Sequence, residues 1–232
     1  MPTIKEGAIF IADAHYPHHN SKFLEVLEAI RDKKIETSQL FLVGDIFDLL
    51  FGYNEYIKYF SKDAISLLQF LSKEIEIFYI EGNHDFCLSR IFPDIKVYNR
   101  KVQPVEFELN KESVYISHGD IYDVGFGYDF YSRILKNRII LTLLKPFEKK
   151  IIDYYIAKLK AKNICFNFKG FEQKAEKIIS KYPPNSLIVE GHFHQGKVFK
   201  NYISLPSLVC QKEIGVIENQ KLIFKDIKSF ID

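Results

Sequence analysis

Ile75-Glu76-Ile77-Phe78-Tyr79-Ile80-Glu81-Gly82-Asn83-His84-Asp85 decides how this chain is read. An apolar run rich in Ile and Phe meets a glycine, then an amide, an imidazole and a carboxylate. A short apolar run bounded by a turn residue reads as a buried strand. The polar cluster then lies just past the strand end, where α/β sheets gather ligands. Four more stretches repeat the pattern. Ala8–Ala12 leads into Asp13-Ala14-His15, and Leu40–Val43 into Gly44-Asp45. Val114–Ser117 leads into His118-Gly119-Asp120, and Leu187–Val189 into Gly191-His192-Phe193-His194. One Gly-His turn at a strand end is ordinary, but five such ends in one chain make coincidence improbable. Five of the seven histidines (His15, His84, His118, His192, His194) belong to them.

Helical periodicity separates the early strands. Ser21–Lys34 places Phe23, Val26, Leu27 and Ile30 on one face, and Tyr56–Ser72 does the same with Ile57, Phe60, Ile65, Leu68 and Leu71. Strand–helix alternation predicts an α/β fold with right-handed crossovers. Val105–Ile116, broken at Asn110-Lys111, reads as a hairpin, and Lys197–Phe224 as mostly strand. Two stacked sheets flanked by helices accommodate this order.

The length of 232 residues suits a single domain, 1–232, carrying an insertion. Residues 126–170 interrupt the strand series and read as that insertion, a helical cap over the site. They hold ten Lys/Arg against three Asp/Glu, a local balance of +7 that leaves −5 for the rest of a chain whose total is +2. The basic residues alternate with aliphatics in an amphipathic pattern, which suits an anionic substrate or membrane surface better than nucleic acid. No nucleic-acid partner is expected. Cys87, Cys165 and Cys210 are odd in number and far apart, so no disulfide is expected and a reducing, cytoplasmic location is. The chain runs directly into the strand-like Gly7–Ala12, with no leader expected. No apolar stretch is long enough to span a bilayer.

The clustered donors are oxygen and imidazole, with no thiolate: Asp13, His15, Asp45, Asn83, His118, His192 and His194. Such a set suits Mn²⁺, Fe or Zn²⁺, with Mn²⁺ favoured where carboxylate and amide oxygens contribute. Their number fits two ions, with Asp45 as the bridging carboxylate. Two cations about 3.5–4 Å apart can clamp a phosphoryl group and activate water. Asp48 and Asp120 read as supporting or turn residues. His18 and His19, in a Pro-containing loop, read as solvated.

The order DxH, GDxxD, GNHD, HGD, GHxH resembles the calcineurin-like metallophosphoesterase superfamily, and the motifs span most of the chain. The resemblance implies a four-layer α/β/β/α sandwich and a dinuclear site. One ion would be held by Asp13, His15, Asp45 and His194, the other by Asp45, Asn83, His118 and His192. His84 would face the substrate phosphate as a catalytic residue, oriented by Asp85.

Within the superfamily, the chain is similar to the UDP-2,3-diacylglucosamine pyrophosphatases of lipid A biosynthesis. These share its length and a helical cap between the HGD and GHxH motifs, opened here by Gly127-Tyr128-Asp129-Phe130-Tyr131-Ser132-Arg133. The similarity implies a lipid-nucleotide substrate cleaved to UMP and 2,3-diacylglucosamine 1-phosphate. It also implies peripheral contact with the cytoplasmic face of the inner membrane. Asn83, His84, Asp123, Tyr128 and Arg133 are the substrate-binding candidates. That family usually carries Arg at the position of His84. The alternative is a soluble phosphoesterase for nucleotides, phosphodiesters or phosphoproteins.

Overall fold

In a computed structural model, which describes residues 1–19, 22–52, 54–120, 145–161, 163–165 and 169–231, each apolar run becomes a strand. The strands are β1 (Ile9–Ile11), β2 (Gln39–Val43), β3 (Leu50–Phe51), β4 (Glu76–Ile80), β5 (Asp85–Phe86), β6 (Lys96–Tyr98), β7 (Val105–Leu109), β8 (Glu112–Ser117), β9 (Leu187–Glu190), β10 (Lys197–Phe199), β11 (Tyr202–Ser204), β12 (Glu213–Glu218) and β13 (Lys221–Asp226). The helices are α1 (Phe23–Arg31), α2 (Glu55–Phe60), α3 (Lys62–Leu71), α4 (Glu148–Ala161), α5 (Phe171–Ile179) and α6 (Lys228–Ile231).

One sheet has the order β13-β12-β1-β2-β4-β6 and a second the order β10-β11-β9-β8-β7. In the first, β1, β2, β4 and β6 are parallel, as crossover helices require. In the second, β8, β9 and β11 are parallel. The β7–β8 hairpin turns on Asn110 and Lys111, both at positive φ, which matches strand twist in a two-residue loop.

Alternation along the central strands explains the layering. Ile9, Leu40, Leu42, Ile77 and Tyr79 face outward onto α1, α3 and their neighbours. Phe10, Phe41 and Phe78 face inward and are in register across β1, β2 and β4. Their rings stack at 4.4 and 4.7 Å, and Phe107 from the second sheet meets Phe41 edge-on at 5.3 Å. Such aromatic contacts add about 0.5–1.5 kcal/mol each beyond area burial. On the far side of the second sheet, Phe171, Ala175 and Ile178 of α5 cover Ile188 and Tyr202. The layers are therefore α/β/β/α, as expected. Strands buried on both faces lack polar alternation, which is why they read as continuous apolar runs.

Two expectations change. Tyr56–Ser72 is two helices broken at Ser61, whose φ of −112° leaves the helical basin; the bend lets both Ile57 and Leu68 reach the core. Cys165 and Cys210 form a disulfide with Cα atoms 5.4 Å apart, while Cys87 remains a thiol. A separation of 45 residues hid that pairing, because only the fold returns residue 165 to the loop after β11. Within 126–170, α4 buries Ile152 and Ile156 against the first layer, and Tyr56 donates to Asp153 Oδ1 at 2.9 Å. Asp123, Tyr128 and Arg133 lie outside the described residues.

Candidate metal centre

Asp13 and His15 follow β1, Asp45 follows β2, and Asn83 follows β4. His118 follows β8, and His192 and His194 follow β9. Parallel neighbours within each sheet end on the same edge, so these candidate ligands converge from both sheets.

The backbone is bent to aim them. Asp13, His15, Asp45, His192 and His194 have φ of 48°, 47°, 49°, 53° and 53°. A non-glycine residue in that region costs on the order of 1 kcal/mol or more, and such strain clusters at functional sites. The left-handed residues alternate with ordinary ones, so both members of each i, i+2 pair swing the same way. Asp13 N–H donates to Gly44 O at 3.1 Å and His15 N–H to Asp45 O at 3.0 Å, tying the first two ligand loops together.

The motif glycines provide the clearance. A Cβ on Gly44 would stand 2.3 Å from His118 Nδ1, and one on Gly82 would stand 2.3 Å from Asp45 Oδ1. One on Gly191 would be 2.9 Å from Asp13 Oδ2.

Among the described residues three donor groups have their ligand atoms within 4.8 Å of one another: Asp13–His15–His194, Asp45–His118–His192 and His15–His19–Asp48. In the first, His194 Nε2 is 3.0 Å from Asp13 Oδ1. In the second, His118 Nε2 is 3.4 Å from Asp45 Oδ2 and 3.2 Å from Asn83 Oδ1. Asp13 Oδ2 and His15 Nε2 are buried without a hydrogen-bond partner. Buried polar atoms are almost always satisfied, and divalent cations would satisfy these. The residues fit a two-cation centre.

A family model described as calcineurin-like phosphoesterase matches residues 8–196, enclosing all seven candidate ligands. The chain belongs to that family. It is 24% identical over 203 residues to a UDP-2,3-diacylglucosamine hydrolase of Wigglesworthia glossinidia brevipalpis, covering 83% of this chain and 81% of that one. A protein of the same description from Photorhabdus laumondii is 24% identical over 234 residues, covering 97% and 96%. Among solved structures, a dimetal phosphatase from Danio rerio is similar with a TM-score of 0.47 at 11% identity, covering 95% of each chain. As a calcineurin-like phosphoesterase, the chain is a metal-dependent hydrolase.

The electrostatics suit cation binding by this phosphoesterase. Burial pushes the Asp13 carboxyl up, but the adjacent His194 outweighs it and the net shift is downward. Burial likewise opposes ionisation of Asp45, and His118 and His84 more than reverse it. Burial, helped by His118, holds His192 down at about 4, so its imidazole is neutral and able to ligate.

His84 lies beside Asp45. Its side chain is 19% exposed, and Nε2 lies 3.9 Å from Asp45 Oδ2. Its backbone N–H donates to Asp45 Oδ1 at 2.8 Å. The expected His84–Asp85 pairing is not the one formed. His84 Nδ1 lies 2.8 Å from the Asp48 carbonyl, which fixes Nδ1 as the N–H donor. Asp85 is fully buried beneath the loops, where it accepts from the backbone N–H groups of Asp45, Ile46, Phe47 and Gly82 and from the Tyr79 hydroxyl. Burial, with Asp45 nearby, pushes its carboxyl up to about 6. Asp85 therefore ties the Asp45 and Gly82 loops together, and the Asp48 carbonyl, in its place, orients His84.

His19 also departs from expectation. Instead of facing solvent, its Nδ1 is 2.6 Å from Asp48 Oδ1. Asp48 also accepts from His18 N–H at 2.8 Å and lies 3.4 Å from His15 Nδ1. Burial opposes its ionisation, but His15 and His19 pull it down to about 2. A carboxylate behind a ligating histidine orients the ring. Asp120 pairs with Arg100 at 2.9 Å. Sequence reading missed Glu190, a buried carboxylate that accepts from Ser117 Oγ at 2.9 Å and Tyr202 OH at 3.0 Å. It braces β8 against β9 just before His118 and His192. Its one sequence signal is an acid closing an otherwise apolar strand.

Proposed function

We propose that this phosphoesterase hydrolyses the diphosphate of UDP-2,3-diacylglucosamine, releasing UMP and 2,3-diacylglucosamine 1-phosphate, with two divalent cations, Mn²⁺ favoured over Fe or Zn²⁺. The observation that carries the reading is the two buried donor groups, Asp13–His15–His194 and Asp45–His118–His192, in a chain similar over most of its length to hydrolases named for that substrate. Bound there, a cation pair would supply Lewis-acid activation of water and neutralise charge on the phosphoryl oxygens.

The chain's own groups supply the rest. Asp13, His15 and His194 would hold one ion; Asn83, His118 and His192 the other; Asp45 would be shared. Cleavage next to uridine forms one P–O bond to water and breaks the anhydride P–O bond. The departing group is a phosphate monoester whose second pKa is about 6, so it leaves without needing a proton. His84, with Nδ1–H fixed on the Asp48 carbonyl, would meet the phosphoryl oxygens through Nε2, donating to them when protonated.

In this reading residues 126–170 form a cap, with Asp123, Tyr128 and Arg133 contacting substrate. Next to and along α4, Phe147 and Tyr154 are exposed beside the exposed Lys149, Lys150 and Lys158. Aromatic and basic side chains on one short helical segment suit the anionic inner face of the membrane. No described helix is long and apolar enough to cross a membrane. Peripheral attachment at the cytoplasmic face is part of the proposal.

One residue favours a second reading, a general nucleotide or phosphodiester phosphoesterase: His84 stands where the lipid-nucleotide hydrolases usually carry Arg. The two are separated by Mn²⁺-supplemented hydrolysis of UDP-2,3-diacylglucosamine in mixed micelles beside bis-p-nitrophenyl phosphate. A kcat/KM ratio above about tenfold for the lipid, roughly 1.4 kcal/mol of transition-state preference, supports the first. Equal or reversed values support the second.

A further inference from the structure

His194 is held from behind by the insertion. Its Nε2 faces Asp13, and its Nδ1 lies 3.1 Å from the carbonyl oxygen of Ile164. A metal-ligating histidine is usually oriented by an acceptor on its other nitrogen, and losing that acceptor commonly weakens metal binding about 10–100-fold. Here the acceptor is a backbone carbonyl at the far end of a long insertion, beyond the end of α4.

A covalent bond fixes that carbonyl. Cys165, the next residue, is joined to Cys210, whose Sγ is itself 3.6 Å from His194 Nδ1. The loop around Cys210 also supports the first donor group. Ser207 Oγ donates to Asp13 O at 2.9 Å, Leu208 N–H to Ala12 O at 3.1 Å, and Gln211 Nε2 to His194 O at 2.7 Å. One loop thus touches both Asp13 and His194, and the cross-link fastens the insertion to it. The Asp45–His118–His192 group has no such dependence among the described residues; its supports are Gln103, Asp85 and Glu190.

Building on the two-cation reading, we propose that Ile164 and the Cys165–Cys210 bond are positioning elements for His194, and that they make the Asp13–His15–His194 cation selectively thiol-sensitive. Cys165 is exposed, so a dithiol can reach the bond. Exchange delivers two electrons and two protons: Cys165 and Cys210 become thiols, and the dithiol leaves as its own disulfide. The Ile164 carbonyl is then tethered by backbone alone, and His194 loses its fixed acceptor.

The test uses the full chain loaded with Mn²⁺, as oxidised wild type, as wild type reduced and desalted without air, and as the Cys165→Ser/Cys210→Ser double variant. Chelator competition reads the two ions, and electron paramagnetic resonance reads their spin coupling. Expected is a loss of affinity for one ion of about 10–100-fold in the reduced protein and the double variant, with the coupled signal replaced by that of a lone ion. The second ion should be unchanged, and the double variant should ignore reductant. Two equally tight ions in every form overturn the proposal. So do equal weakening of both ions and a thiol count of three in the air-oxidised wild type. Oxidised wild type that binds no metal at all would instead strike the dinuclear reading beneath it.

Discussion

Replacing Gly82 by Ala should disable the centre without touching a ligand. The added Cβ would stand 2.3 Å from Asp45 Oδ1 and 2.5 Å from Asp45 N. Ordinary contact lies at roughly 3.5 Å, so the two segments must part by about 1 Å. Asp45 cannot retreat freely, because Asp85 holds the backbone N–H groups of Asp45, Ile46 and Phe47 at 3.1, 2.7 and 3.2 Å. Overpacking of this kind costs about 1–3 kcal/mol. For a chain this long, each kcal/mol lowers Tm by about 2–4 °C, giving a fall of roughly 2–12 °C. The effect on catalysis should be larger, since a misplacement of about 1 Å can cost on the order of 100-fold in rate. Mn²⁺-dependent hydrolysis of bis-p-nitrophenyl phosphate measures the rate, and thermal unfolding measures stability. Gly215→Ala is the control: its Cβ would press on Leu222 Cδ1 at 2.9 Å and Phe10 Cβ at 3.0 Å, inside the core and away from the cations. It should lower Tm and leave turnover alone. Parental turnover and metal content in Gly82→Ala would refute the claim that this glycine gives Asp45 its place.

Asp45→Ala should abolish turnover and release both ions, as read by metal analysis after gel filtration; retention of two tight ions would remove Asp45 from its bridging role. His84→Asn should lower turnover far more than metal content, and loss of metal with unchanged activity per bound ion would make His84 a structural residue. Asp85→Ala leaves several buried donors without an acceptor, each costing about 1–3 kcal/mol, so urea unfolding should show a loss of at least roughly 3 kcal/mol. A stability loss below about 1 kcal/mol there would mean the loops are held by something else.

Where the structure surprised, the cause was contact between segments remote in sequence. The GNHD motif places Asp85 beside His84, and adjacency suggested that one orients the other. The left-handed turn of Asp45 instead brings three backbone N–H groups over Asp85, and His84 turns to a carbonyl from a different loop. His19 looked like a solvated loop residue because nothing nearby in sequence could pair with it; Asp48, 29 positions away, does. Cys165 and Cys210 looked unrelated because α5 and the strands β9, β10 and β11 separate them in sequence.

The residues alone were enough to determine the layered α/β class and the five strand ends, and they named the seven candidate donors. Burial on both faces dictates continuous apolar runs, and cation chemistry dictates which side chains may end them. Tertiary structure alone decided the supporting contacts: which carbonyl steadies His194, which acid holds the Asp45 loop, which thiols meet. Backbone acceptors and glycine clearances leave no mark in side-chain pattern, since every residue has a carbonyl and its use depends on what the fold sets beside it.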